Sequence, residues 1–430
     1  MNKTVITNFF SLSSLQIANY IIPVITVPYV VRVIGPGNYG LTSFANAFIA
    51  YFILIVNFGF DLTASRDISI NRNNNEKISE IFFSVIAAKI FLFIVTLILF
   101  IISIIIIPRL HQDLLLYIVT YGIIIGNIFF PTWLFQGMEK LSRTAFFSLI
   151  ARLIFTCSIF LLIKKEGDYI LLQALYSGGQ FVVGIAAFIY AIKLFKIRLY
   201  IPGIKKIYIT LKSSFTLFVS SVVINIYTTS NVVILGFFAT NVEVGYFSAA
   251  MKFMYITQGL FVGPFSQTMY PYIANAFTNS FDNGVKKLKT IFAIVLTLTF
   301  LTSILLLLFS HLIISIFFGN KFIPAILTLQ IISFLPLIIG ISQVCGTLAL
   351  LNLKYDKIIL RICAIGALLN IIFNLLLTPA LKGNGTALAW LLTELYISGA
   401  TYYILRRKGI NLFSWNEIIN MRNLLRFRNN

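Results

Sequence analysis

At 430 residues, 59% hydrophobic and only 11% charged, with a mean hydropathy of +0.94, the chain is too apolar for a water-soluble globular protein; soluble domains are nearer about half apolar and about a quarter charged. Its net charge of +20, from 33 Lys and Arg against 13 Asp and Glu, would suggest nucleic acid in a soluble protein. The distribution of those charges between apolar stretches excludes that partner and points to a lipid bilayer.

Twelve apolar stretches alternate with short polar breaks. Each is near the ~20 residues that cross a ~30 Å hydrocarbon layer as helix. The predicted spans cover 9–31, 41–60, 81–107, 114–135, 144–163 and 169–192 in the first half. In the second half they cover 214–238, 245–270, 291–310, 325–351, 358–377 and 385–405. The fold class is therefore an all-α polytopic membrane protein of about twelve transmembrane helices. The first span is too long for a cleaved leader and no small-residue cleavage site follows it, so it is expected to be retained.

Between the sixth and seventh spans, Lys193, Lys196, Arg198, Lys205, Lys206 and Lys212 surround Pro202 and Gly203. This basic stretch divides the chain into two expected six-helix lobes, residues 1–200 and 201–430, around a central cavity. Gly37-Asn-Tyr39 opening the second span is echoed by Gly245-Tyr246 opening the eighth, each followed by small residues. Two lobes that enter from the same side would be parallel repeats, an arrangement suited to alternating access. With both termini in the cytoplasm, about 23 of the 33 basic residues fall on the inner side. About six fall outside: Arg32, Arg109, Lys164, Lys165, Lys321 and Lys382. Positive residues concentrate on the cytoplasmic side, so this multi-pass orientation in a bacterial inner membrane is the expected one.

Catalytic and metal chemistry find little support. Cys157, Cys345 and Cys363 lie in apolar spans, and His111 and His311 are far apart in sequence. Gly35-Pro-Gly37-Asn-Tyr-Gly40 matches a dinucleotide fingerprint by letter. It lacks the strand and βαβ unit such a site needs, and reads as a tight turn. No phosphate-loop motif is present, and no resident cofactor is expected.

The informative residues are the charges inside the spans: Lys89, Arg152, Lys252 and Arg361, with one acid, Glu394. A charge at the bilayer centre costs about 2.5–3.5 kcal/mol even on the lenient insertion scale, so these side chains should face a wet interior, pair, or snorkel. Arg152 shares a helical face with Ser148 and Thr156, Lys252 with Ser248, Tyr255 and Gly259, and Glu394 with Trp390, Ser398 and Thr401. Lys89 sits deep in its span without such a stripe. Arg361, near the cytoplasmic edge, fits snorkelling as well as ligand contact, or pairing with Glu394. One acid cannot neutralise four bases, so the set favours an anion, with phosphate or pyrophosphate the natural candidate. Pro23 and Pro28 in the first span, and Pro264 and Pro271 in the eighth, are candidate hinges, since each removes a backbone donor.

Several motifs resemble a known family. They are Arg32-Val-Ile-Gly35-Pro36-Gly-Asn-Tyr39-Gly40 after the first span and Pro131-Thr-Trp133-Leu-Phe-Gln136-Gly137-Met-Glu139-Lys140 closing the fourth. Gly245-Tyr246-Phe-Ser-Ala-Ala-Met-Lys252 and Gly383-Asn-Gly385-Thr-Ala-Leu-Ala-Trp-Leu-Leu-Thr-Glu394 follow in order. Together they resemble the polysaccharide-transporter branch of the multidrug/oligosaccharidyl-lipid/polysaccharide (MOP) exporter superfamily, and within it the Wzx-type flippases of O-antigen clusters.

The resemblance implies a non-enzymatic transporter that moves undecaprenyl-pyrophosphate-linked oligosaccharide repeat units across the inner membrane, with polysaccharide assembly proteins of the same pathway as candidate partners. Lys89, Arg152, Lys252 and Arg361 would hold the pyrophosphate. Tyr255, Gln258, Asn370 and Asn374 would meet the sugars. Glu394 would couple a proton or sodium ion, or orient a cation. Arg32, Pro131, Trp133, Gln136 and Glu139 would form a turn or gate. The seventh span carries Asn225, Thr228, Thr229, Ser230 and Asn231 but no acid, which leaves Glu394 as the candidate for coupling. A drug or cation exporter of the same superfamily is the nearest rival, but it should carry intramembrane acids rather than bases. A membrane polymerase or ligase would need catalytic groups on a large external loop, and no outer loop here exceeds about 15 residues.

Overall fold

The structure of the protein, a computed structural model, describes residues 3–259 and 263–412, with side chains described from residue 22 onward except at 23, 141–146, 148, 151, 263, 264 and 267. The side chains of Pro23 and Pro264, two of the expected hinges, and of Ser148 beside Arg152 are therefore not described. Nearly everything described is helical. A hydrocarbon layer offers no water to backbone N–H and C=O groups, and a helix satisfies them within the segment. Helix packing separates the chain into two compact units, Met1–Asn225 and Ile226–Asn430. The division falls inside helix α10, Ile204–Phe238, rather than in the basic stretch before it.

The first unit opens with α1, Lys3–Asn57, broken at Gly35, whose φ of 74° and ψ of 171° favour glycine. This is the tight turn expected between the first two spans. Asn38 Nδ2 pins it by donating to the Glu166 carbonyl at 2.9 Å. Helix α1 runs through Pro28 without interruption, since one missing donor does not end a membrane helix.

The second span also differs from expectation. Phe58 (φ 44°) and Gly59 (φ 78°) kink the chain, and helix α2, Phe60–Ile70, continues beyond. Helix α3, Asn75–Ile106, is capped by Asn74, whose side-chain oxygen accepts from Lys77 N at 3.0 Å. After a short α4, Pro108–His111, the fourth span is segmented into α5, Leu114–Tyr121, α6, Ile123–Phe129, and α7, Thr132–Gly137. Helices α8, Leu141–Leu162, and α9, Tyr169–Phe195, complete the six expected crossings of this half. Rings knit the unit together: Phe52, Phe100 and Tyr121 pack within 6 Å centroid to centroid, and Phe100 stacks on Tyr121 at 4.5 Å.

The second unit takes the rest of α10 and then α11, Asn241–Thr257, capped by Thr240. Next come α12, Gly263–Asn279, through which Pro271 passes, and α13, Phe281–Leu308, capped by Ser280. Helix α14, Ser310–Phe317, leads to a tenth span made of α15, Ala325–Ile332, α16, Leu335–Ser342, and a π-helix, Gln343–Leu350. The last two expected spans are one long element, α17, Asp356–Arg407, turned at the single non-helical residue Lys382 (φ 51°, ψ −126°). The core gathers Leu288, Phe292, Val344, Leu348 and Leu405 from α13, the π-helix and the end of α17.

Eight helical stretches among the described residues are long and apolar enough to cross a bilayer. Two of them, Val24–Ile70 and Asp356–Arg407, contain the breaks at Gly35 and Lys382 and cover two expected spans each. The two remaining spans are α8 and the pair α11 and α12.

Candidate functional site

In the first unit the clearest candidate is Lys89 on α3. It is 1% exposed, and its Nζ donates to Asn57 Oδ1 at 2.9 Å. Asp61, one turn beyond Asn57 on α2, lies close enough to act on the ammonium electrostatically. An unsolvated ammonium costs on the order of several kcal/mol, so the lysine is tolerable there because an amide oxygen and a carboxylate share it. The continuation of the second span as α2 brings this second acid in. Asp61 is thus an acid beside Lys89 that the count of charges within the predicted spans left out. Arg152 on α8 is half-buried and faces Tyr176 of α9; Thr156, on its helical face, keeps a buried hydroxyl without a hydrogen-bond partner among the described residues.

The motif that closes the fourth span packs against α2 and α3. Pro131 and Trp133 are buried, and the Trp133 ring lies 5.8 Å from Phe82 of α3. Gly137 meets α2 so closely that a Cβ would stand 2.7 Å from Ile68 Cβ and from the Ser65 carbonyl oxygen. Gln136 is exposed, and its carbonyl accepts from the N–H of Glu139, which turns the chain at a φ of 56°. Arg72 clamps this corner. Its Nη1 lies 2.8 Å from Glu139 Oε1 and its Nε donates to the Gly137 carbonyl at 2.7 Å. Gln136 and Glu139 thus form a turn. Arg32, at the opposite end of the fold beside the Gly35 turn, is exposed.

In the second unit, Asn370 and Asn374 of α17 are fully buried. Asn374 Nδ2 donates to Asn231 Oδ1 of α10 at 2.9 Å, and Asn370 Nδ2 donates to Thr393 Oγ1 at 3.2 Å. Thr378 donates to Asn374 Oδ1 at 3.0 Å and pairs with Thr386 at 3.0 Å. These amides are spent on one another across three helical segments. This differs from the expectation that Asn370 and Asn374 meet sugar: burial of amides demands partners, and the protein supplies them.

A more open cluster stands beside this network. Tyr255 is partly exposed, and its ring lies 6.2 Å from that of Trp390. Glu394, one turn past Trp390, is 5% exposed, and among the described residues it forms no ion pair. The Trp390 indole nitrogen lies near that carboxylate but outside hydrogen-bonding geometry. Tyr227 and Cys363 are its other polar neighbours. Lys252 and Gln258 are half-buried on the helix that carries Tyr255. Arg361 is exposed and is not paired with Glu394, so the ion pair considered for them is not formed. The structure thus gathers Tyr255, Trp390 and Glu394, separates Asn370 and Asn374 into a closed network, and leaves Arg361 at the surface. Sequence reasoning missed Asn57 and Asp61, one turn apart at the end of a span, took Arg72 only as a charge that sets topology, and noted Asn231 only as a polar residue of the seventh span.

The chain was compared with known proteins. Residues 5–277 match the model of the family described as "Polysaccharide biosynthesis protein". A protein of Escherichia coli (strain K12) described as "Putative O-antigen transporter" is 30% identical over 406 residues, 94% of this chain and 97% of the relative. Among solved structures, the "Lipid II flippase MurJ, inward closed conformation" superposes with a TM-score of 0.70 at 20% identity, covering 99% of this chain and 94% of the other. An inward-facing multidrug resistance MATE family transporter of the MOP superfamily superposes at 0.68 with 11% identity, covering 96% of each chain. At these identities the structures speak for the fold alone, and that fold is the twelve-span MOP fold. The chain is therefore a multi-pass membrane protein that belongs to the polysaccharide biosynthesis protein family.

Proposed function

We propose that this chain is a flippase that carries undecaprenyl-pyrophosphate-linked oligosaccharide repeat units, of O-antigen or a related polymer, from the cytoplasmic to the periplasmic leaflet by alternating access. The observation that carries the reading is near-full-length similarity to a relative described as an O-antigen transporter, joined to a basic excess among the intramembrane charges. Lys89, Arg152 and Lys252 suit the pyrophosphate, because Lys and Arg are the usual protein partners of phosphate oxygens. Arg361, exposed near the expected cytoplasmic edge, suits a first contact with the same group. Tyr255, backed by Trp390, offers a ring face to sugar, with Gln258 one turn further along the chain. Glu394, a buried carboxyl without an ionic partner among the described residues, suits reversible binding of a proton or sodium ion during the cycle. Both termini lie in the cytoplasm in this reading.

The test is complementation of a bacterial strain deleted for its own repeat-unit flippase, with surface polysaccharide as the readout. Wild type restores the polymer, and Arg152→Ala and Lys252→Ala lose it at equal membrane abundance. Normal polymer from both variants would remove the cationic site, and cation efflux without polymer would make the chain a drug exporter instead.

A further inference from the structure

The transport reading leaves one cavity unused. It has a volume of about 450 Å³ and lies in the first unit, between the first turns of α3 and the segment after α9. Glu76, Lys77 and Glu80 line one side, and Arg198, Leu199 and Tyr200 the other. The Arg198 backbone N–H donates to Ser79 Oγ at 3.0 Å, which ties the two sides together. Glu80 is already engaged twice, by Lys77 Nζ at 2.8 Å and by Lys206 Nζ at 2.5 Å. Three bases and two acids therefore meet here. Among the described residues the Arg198 guanidinium forms no ion pair, and its side chain is exposed.

The chain that leaves this cavity is apolar and turned outward. Leu199 is 80% exposed, Ile201 85% and Ile204 87%, between Arg198 before them and Lys205 and Lys206 after them. Apolar side chains left in water forgo about 25 cal/mol per Å², whereas an apolar segment flanked by basic residues is stabilised at the boundary of an anionic lipid surface. Arginine is the side chain best shaped to grip a phosphate with two parallel bonds.

We infer that this cavity seats the headgroup of an anionic glycerophospholipid of the cytoplasmic leaflet, its phosphate on Arg198 and Lys77 and its acyl chains along Leu199, Ile201 and Ile204. The occupant is a lipid rather than free phosphate because the apolar residues continue directly from the phosphate-binding wall. The inference rests on the inner placement of residues 193–212 by their charge, and not on what the protein transports.

Native mass spectrometry of the purified full-length protein, exchanged with phosphatidylglycerol or phosphatidylethanolamine, tests it. Wild type retains phosphatidylglycerol in preference to phosphatidylethanolamine. Arg198→Ala lowers that retention at least about fivefold, the worth of one basic contact at an anionic surface, and Arg198→Lys lowers it less. Lys193→Ala, at an exposed base outside the cavity, leaves it unchanged. Because the Arg198 side chain is exposed and forms no ion pair among the described residues, the variants melt with wild type. Equal retention by wild type and Arg198→Ala overturns the inference. So does displacement of the lipid by inorganic phosphate at equal concentration, which would make this a site for the free anion.

Discussion

Lys89 shows how one buried side chain can report on both folding and transport. Its ammonium is held by Asn57 Oδ1 and is almost wholly buried. Removing the ammonium alone would leave Asn57 Oδ1 and the Asp61 carboxylate uncompensated, so Lys89→Met is paired with Asp61→Asn and compared with wild type at equal membrane abundance. If the ammonium meets the pyrophosphate, the double variant loses polymer export at least about tenfold, the scale of one charge-assisted hydrogen bond. Full export by the double variant would reduce Lys89 to a structural role. Glu139 has the opposite character: its carboxylate lies in the open against Arg72, and exposed pairs of this kind are worth about 0–1 kcal/mol. Its place in the motif comes from the turn it makes after Gly137.

At the scale of elements, the asparagine and threonine network joins α10 to both halves of α17. Asn231 Oδ1 receives amide protons from Asn370 at 3.3 Å and from Asn374 at 2.9 Å. In lipid such bonds average about 0.6 kcal/mol and reach about 1.7 kcal/mol in coupling measurements. A double-mutant cycle of Asn231→Ala and Asn374→Ala, read by thermal unfolding in detergent, should give a coupling of about 0.6–1.7 kcal/mol. Additive losses would mean that the two amides do not share a bond. This network marks where the sequence stopped being legible. The residues stood out as polar groups in apolar helices, but whether an amide faces sugar or another amide depends on which helices meet, and hydropathy carries no record of that. The kink at Phe58 and Gly59 was hidden in the same way. The predicted second span ended at residue 60, before the charges Asp61, Arg66 and Asp67, although α2 carries the helix on to Ile70. The Gly35 turn was legible because glycine and proline punctuate a helix whatever packs around it. The twelve crossings were legible because length and apolarity are set by the bilayer rather than by tertiary contacts.

For the whole molecule, orientation follows from charge. Single cysteines placed at Lys165 and Lys205, in a background where the native exposed Cys157 is replaced by serine, should report opposite sides of the membrane. A thiol reagent that cannot cross the bilayer is expected to label position 165 in whole spheroplasts and position 205 only after lysis. Labelling of position 205 from outside would invert the topology and remove the cytoplasmic placement of the basic stretch.

The central claim is movement of a lipid-linked oligosaccharide, and reconstitution measures it most directly. Purified protein in liposomes is given an undecaprenyl-pyrophosphate oligosaccharide, and the share accessible to a membrane-impermeant sugar-modifying reagent is followed over time. The account predicts that wild type brings the inner-leaflet pool within reach of the reagent, while Arg152→Ala and Lys252→Ala behave as protein-free vesicles. A wild-type trace no faster than that of protein-free vesicles, from protein that is folded and inserted, would contradict it.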